Sequence, residues 1–148
     1  MKPLAAVLLL IAGCAQVQNA GMQIASSSAS AVVLINERLL HGKVVFFTNR
    51  TGNLKVSAGL QDEFQCAGPL RYTATETGVL QLHCNDGTEV TMNFTALGET
   101  RGFGQGPLAR GVASWTYGMA PEQAAAYLKP PAGKRLVPGP LGLSLQAP

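Results

Sequence analysis

The 148-residue sequence predicts a mainly β fold, a small antiparallel β-sandwich or barrel-like meander with one short helix near its C-terminal end. Short runs rich in β-branched and aromatic residues recur from residue 43 to residue 117, and Gly, Asn, Asp or Pro separates most of them. Two neighbouring runs, 79–84 and 89–95, alternate apolar and polar residues with the period of two that a half-buried strand requires. Helix start and stop signals are combined at one place, beginning at Pro121. Local pattern does not choose between an open sandwich and a closed barrel.

In chain order, the first ordered stretch is 31–41. Val32, Val33, Leu34 and Ile35 read as a strand, whereas Leu39, Leu40 and the stop at Gly42 also suit the end of a helix. We read a strand followed by a turn, with His41 as a turn residue. Strands are expected over 43–48, 54–58, 70–75, 79–84, 89–95 and 112–117. The glycines of Arg101-Gly102-Phe103-Gly104-Gln105-Gly106 alternate without the Lys-Ser/Thr of a P-loop or the spacing of a dinucleotide loop, so nucleotide binding is not expected. The segment reads instead as a glycine-relaxed strand or bulge where backbones pack closely. Pro121 fits a first helical turn, Glu122, Ala124, Ala125, Ala126 and Leu128 are helix formers, and Pro130 stops the helix.

The hairpin around Asn85-Asp86-Gly87 can be read to the register. Leu80, Leu82 and Cys84 share one face of the first strand, and Val90, Met92 and Phe94 share one face of the second. Directly opposed residues must share a face. A two-residue Asp86-Gly87 loop sets Leu82 against Thr91, apolar against polar. A three-residue loop sets Leu82 against Val90 and Leu80 against Met92, so that register is predicted. It needs a type I turn followed by a residue at positive φ, which Gly87 supplies.

The N-terminal residues have a different logic. Lys2 gives a charged start, an apolar stretch runs from Leu4 to Ala12, and Ile11-Ala12-Gly13-Cys14 closes it with small residues and a cysteine. This is the order of a secretory signal peptide. The last four residues resemble the lipobox of bacterial lipoproteins, with Ile11 where leucine is commonest. The resemblance implies that Cys14 is lipidated, becomes the new N-terminus and anchors the protein to a membrane. The apolar stretch, about nine residues, is far short of the roughly 20 a spanning helix needs. Two or more acyl chains hold a protein stably where one holds it only marginally. In such lipoproteins an aspartate after the cysteine favours the inner membrane; Ala15 here implies the outer membrane, facing the periplasm. The rival is an ordinary signal peptide cut later, after Ala29-Ser30-Ala31, which lies too far beyond the apolar stretch. The final Pro148 is not the lysine through which some lipoproteins are linked to peptidoglycan, so no such link is expected.

Given lipid on Cys14, Cys66 and Cys84 remain as a pair suited to an oxidising compartment. A bond between them closes a loop of about 18 residues, worth roughly 3 kcal/mol in the chain-entropy picture. The rival is a metal site using Cys66, Cys84 and His83. It lacks a CxxC pair and a fourth ligand, and adjacent residues of a strand face opposite ways. No metal and no cofactor are expected.

The expected organisation is a cleaved signal peptide over 1–13, a lipidated flexible tether over 14–31, an antiparallel β domain over 32–128 and a tail over 129–148. Ser26-Ser27-Ser28, Gln16, Gln18 and Asn19 give the tether its small, polar character. Five of the nine prolines fall in the tail, which is expected to lack regular structure and to hang loose or drape over the domain. The Cys66-Ala67-Gly68, Cys84-Asn85-Asp86-Gly87 and Tyr117-Gly118 segments, with the glycine-rich run, resemble the small envelope lipoproteins of Gram-negative bacteria. That resemblance brings no active site with it.

Residues fit for catalysis are few. His41 and His83 are the only histidines, and neither GxSxG nor HExxH occurs. Asp62 and Glu63 are adjacent and read as a solvated turn rather than the carboxylate pair of a glycosidase. A formal charge of +3, scattered along the chain, gives no footprint for nucleic acid. The candidate ligand site is an aromatic platform of Trp115 and Tyr117 on one strand face with Arg101 and Arg110 at its edges, able to stack on a sugar ring or peptide if exposed. Core packing of the two rings is the favoured alternative. The expected function is therefore that of a lipid-anchored envelope protein with a structural or protein-interaction role and no catalysis, touching envelope proteins or cell wall. The alternative is a periplasmic binding module for a small apolar or glycan ligand.

Overall fold

A computed structural model of the chain describes residues 25–59, 64–140 and 142–148. The signal peptide at 1–13, lipidation at Cys14, most of the tether, and the Asp62–Glu63 pair concern residues outside these ranges.

Eight antiparallel strands close into a barrel in chain order. They are β1 (Ala25–Ile35), β2 (Arg38–Phe47), β3 (Thr51–Ser57), β4 (Gln65–Tyr72), β5 (Thr77–Cys84), β6 (Glu89–Gly98), β7 (Arg101–Pro107) and β8 (Val112–Tyr117). Each strand pairs with the next, and β8 returns to β1 with Ala31 opposite Tyr117 and Val33 opposite Trp115. Closure removes the free edges that an open sandwich would keep. One helix, α1 (Pro121–Tyr127), follows with Pro121 in its first turn, and then a hairpin of β9 (Arg135–Gly139) and β10 (Gly142–Gln146).

Alternation builds the core. Val33, Leu40, Val44, Leu54, Val56, Leu70, Leu80, Leu82, Met92, Phe94 and Trp115 point inward and are buried. The polar residues between them on β3, β5 and β6, such as Lys55, Gln81 and Asn93, are exposed. The predicted hairpin register is observed: Leu82 pairs with Val90 and Leu80 with Met92. Gly87 has φ 92°, and Asp86 accepts the Thr88 amide at 2.9 Å, which together shape the turn. That hydrogen bond also holds the Asp86 carboxyl below the usual carboxylate range.

Four expectations are corrected. The strand and turn read over 31–41 are two strands, because the turn falls earlier, at Asn36–Glu37, with Ile35 opposite Arg38 and Asn36 at φ 54°. His41 is consequently a strand residue, opposite Val32 and Ser57. The tether ends sooner than residue 31: β1 begins at Ala25, and the serine run joins the ladder through its backbone, with Ser27 opposite Phe46. The tail over 129–148 is not without regular structure. Its β9–β10 hairpin runs from Arg135 opposite Gln146 to Gly139 opposite Gly142, and Pro138 is tolerated because a two-stranded ribbon has outer positions that need no donor.

A second, smaller core lies outside the barrel wall. Leu34 faces outward from β1, yet it is buried with Ala124, Leu128 and Leu143, which come from α1, the segment after it and β10. Burial of such side chains contributes about 1.5–3 kcal/mol each, so the C-terminal segment is part of the folded unit. Phe103 on the outer face of β7 packs against Tyr127, the rings tilted with centroids 4.5 Å apart, and the Ser114 hydroxyl accepts the Lys129 amide at 2.9 Å.

Candidate functional site

Cys66 and Cys84 are bonded to each other from opposed positions on β4 and β5, inside the wall. His83 faces the other way, exposed, with Nδ1 3.1 Å from Glu89 Oε1 across the ladder. The three residues of the rival metal site therefore do not converge.

Trp115 and Tyr117 follow the favoured alternative, core packing, and form no exposed platform. Trp115 is 0% and Tyr117 1% exposed; both rings lie in the barrel interior, stacked on each other at 5.0 Å. Arg101 begins β7 and Arg110 lies in the turn after it, so the length of a strand separates them. The four residues form no common surface. The room for the two rings comes from the glycine-rich run, which is β7: Gly102 stands opposite Tyr117 and Gly104 opposite Trp115, both glycines facing inward.

A continuous aromatic cluster extends from these rings to one mouth of the barrel. Phe94 meets Trp115 edge to face at 5.8 Å, Tyr72 meets Phe94 at 5.3 Å, and Phe46 meets Tyr117 at 5.4 Å. Phe46 and Tyr72 form the floor of a recess of about 350 Å³ at the mouth where β1 begins. Its rim comes from the β2–β3, β4–β5 and β6–β7 turns, which an up-and-down meander brings to the same end. Arg50 comes from the first turn, Glu76 from the second and Glu99 from the third. The amide of Ala96 donates to the Glu76 carbonyl at 2.6 Å and ties the second turn to β6.

Electrostatically, this rim is mixed. The Arg50 guanidinium lies over the Tyr72 ring at 4.5 Å and donates to the carbonyls of Ala74 and Thr75 at 2.7 and 3.3 Å, so it is held as part of the wall. Arg50 itself is in the left-handed region at φ 64°, a conformation a non-glycine residue keeps only when its surroundings enforce it. Glu76 and Glu99 are exposed and have no ion pair among the described residues. Ser27 also lines the recess, while its hydroxyl oxygen is shut off from solvent and has no hydrogen-bond partner among the described residues. Behind the floor, the Tyr117 hydroxyl lies beside the Tyr72 phenol without a hydrogen bond of acceptable geometry. Burial, and secondarily Tyr72, push its pKa well above that of an ordinary phenol.

The opposite mouth is filled differently. Phe64 is buried there, with the Arg38 guanidinium 4.0 Å over its ring. The sequence reading placed Ser27 in the tether and did not single out Arg50, Tyr72, Glu76 or Glu99. The available signal was topological: in a meander every second turn falls at the same end, so the turn residues near 50, 76 and 99 belong together.

Comparison with protein-family models, curated proteins and solved structures finds no match to this chain.

Proposed function

We propose that this chain is a lipid-anchored protein of the bacterial cell envelope, attached through acyl chains on Cys14 to the outer membrane and facing the periplasm. In this reading its barrel works by interaction with envelope proteins or cell wall rather than by catalysis. The observation that carries the reading is the pairing of the cysteines. Of three in the chain, Cys66 and Cys84 are joined, which suits an oxidising compartment and leaves Cys14 at the end of the lipobox-like tetrapeptide. The rival cut after Ala31 would remove the first part of β1, including residues paired with β2. On the barrel itself, among the described residues, the first part of β1 before Ser30 has a strand partner only on its β2 side, so a partner would engage that short edge, a mouth, the outer wall or the C-terminal hairpin.

Mass spectrometry of the mature N-terminus, with fractionation of cells carrying Cys14→Ser, tests the proposal. Diacylated or triacylated Cys14 and release of the variant from membranes are expected. An unprocessed cytosolic chain with reduced sulfurs would overturn it. A second reading, a module that binds a small ligand, has the recess with its aromatic floor in its favour, because ligand sites are commonly apolar hollows carrying a few polar groups and are found in barrel mouths.

A further inference from the structure

We infer that the outer wall over β2 to β5 binds a linear glycan that carries carboxylates, with one sugar seated in a recess of that wall. The inference goes beyond the reading above and does not depend on the lipid anchor. None of these four strands contains Asp or Glu. Their outward residues include Lys43, Lys55 and Arg71, all exposed and without an ion pair among the described residues. Lys43 and Lys55 stand directly opposite each other on β2 and β3. Like charges so placed weaken a sheet, and an anionic ligand that bridges them relieves the repulsion.

The recess, about 280 Å³, lies where the wall itself is interrupted. β4 has a strand on each side, so a proline within it gives up a ladder donor, and prolines in sheets are normally confined to edges and bulges. Pro69 nevertheless sits in β4, and the β4–β5 pairing passes from Ala67 opposite His83 to Leu70 opposite Leu80 without a pair at Gly68 or Pro69. Sequences depart from such local rules chiefly at functional or strained sites. Phe47, Pro69 and Val79 give the recess its apolar surface, and Asn53, Gln81 and Arg71 edge it. The two amides donate and accept as sugar hydroxyls do, while the guanidinium is a fork of donors that fits a carboxylate. An apolar ring face with a hydroxyl and carboxylate edge is the complement of this lining.

The charges extend the site along the wall. Arg71 is level with Thr51 and Lys55 lies farther along β3 on the same face, so the lysine pair is roughly 13 Å from the guanidinium along the strands. One small carboxylate cannot reach both, whereas a chain of acidic sugars can. An acidic peptide offers carboxylates without the ring face. A bilayer, being flat, meets a convex wall along a line and leaves the recess unfilled.

Titration calorimetry of the full chain at neutral pH with hexagalacturonate, maltohexaose and hexaglutamate tests this, and sedimentation with mixed phosphatidylglycerol and phosphatidylcholine vesicles supplies a membrane arm. Hexagalacturonate is expected to bind at least tenfold more tightly than the neutral sugar or the peptide. Lys43→Gln with Lys55→Gln, and separately Arg71→Gln, should each weaken it tenfold or more, and vesicle binding should be the same for parent and variants. The melting temperature of the lysine variant should equal or exceed the parent's, because a like-charge pair has been relieved; a merely structural role for the lysines would lower it. Maltohexaose or hexaglutamate binding as tightly as hexagalacturonate, an affinity indifferent to the substitutions, a lowered melting temperature, or vesicle binding that falls with the lysines would overturn the assignment. Binding of none of the three soluble probes would do the same. Every one of these outcomes leaves the lipid on Cys14 to be decided by its own mass measurement.

Discussion

Gly104 and Trp115 face each other across the β7–β8 ladder, and the indole fills the space that a side chain at 104 would occupy. A Cβ built on Gly104 would collide with the Asn93 carbonyl oxygen and stand 2.6 Å from Trp115 Nε1. The same trade is repeated one step along, where a Cβ on Gly102 would run into the Tyr117 hydroxyl. The glycine face of β7 is thus the counterpart of the aromatic face of β8. Together they allow a narrow barrel to hold two large rings.

Gly104→Ala should therefore destabilise the fold by about 2–3 kcal/mol, because the neighbours are backbone and a buried ring that cannot yield cheaply. Gly98→Ala is the control. Nothing lies within 4 Å of a Cβ there, and the change should stay within about 0.5 kcal/mol. Urea unfolding of the two variants checks the pair; equal midpoints would show that the close approach is absent in solution.

At Gly87 the cost has another origin. A Cβ there meets nothing within 4 Å, but φ is 92°, which a β-branched residue strongly resists. Gly87→Val should cost about 1–2 kcal/mol, lowering the melting temperature by roughly 3–10 °C for a unit of this size. Gly87→Asn should cost less, since asparagine tolerates positive φ better. An unchanged melting temperature for the valine variant would count against the three-residue turn.

These two glycines mark how far the sequence is legible. The Gly87 turn and its register follow from local alternation, and the α1 start follows from Pro121. Closure of the barrel has no local signal, because it depends on Val33 meeting Trp115 from distant parts of the chain. The β1–β2 turn is not legible because Asn36-Glu37 carries no glycine or proline, and the serine run at 26–28 reads as tether because its pairing is through the backbone. In the tail, proline content suggested disorder, while Leu143 and Leu136 already held the apolar surface that docks the hairpin. The mouth is the least legible part. Its residues are ordinary turn residues until topology gathers three turns at one end.

The Cys66–Cys84 bond closes a loop with a sequence separation of 18. Reduction, or Cys66→Ala with Cys84→Ala, should lower stability by about 3 kcal/mol through the freedom returned to the unfolded chain. Urea titrations with and without reductant measure this. Coincident curves would mean that the bond is absent in the isolated protein.

Tyr117 should make stability depend on pH at the alkaline end. Its buried hydroxyl has a raised pKa in the folded protein, from burial first and Tyr72 second, whereas in the unfolded chain it is an ordinary phenol. The protonated form is common to both states below about pH 10, so the full stability is present there. Above that value the unfolded chain releases the proton while the folded barrel retains it, and stability falls by about 1.4 kcal/mol per pH unit until the folded-state pKa is reached. Tyr117→Phe should flatten this slope. At pH 7 the same variant should change stability by no more than about 1 kcal/mol, because the hydroxyl it removes has no hydrogen bond to lose. Urea unfolding at pH 7 and pH 11 for parent and variant decides the matter: a parent whose alkaline loss equals that of the variant would mean that the phenol reaches solvent.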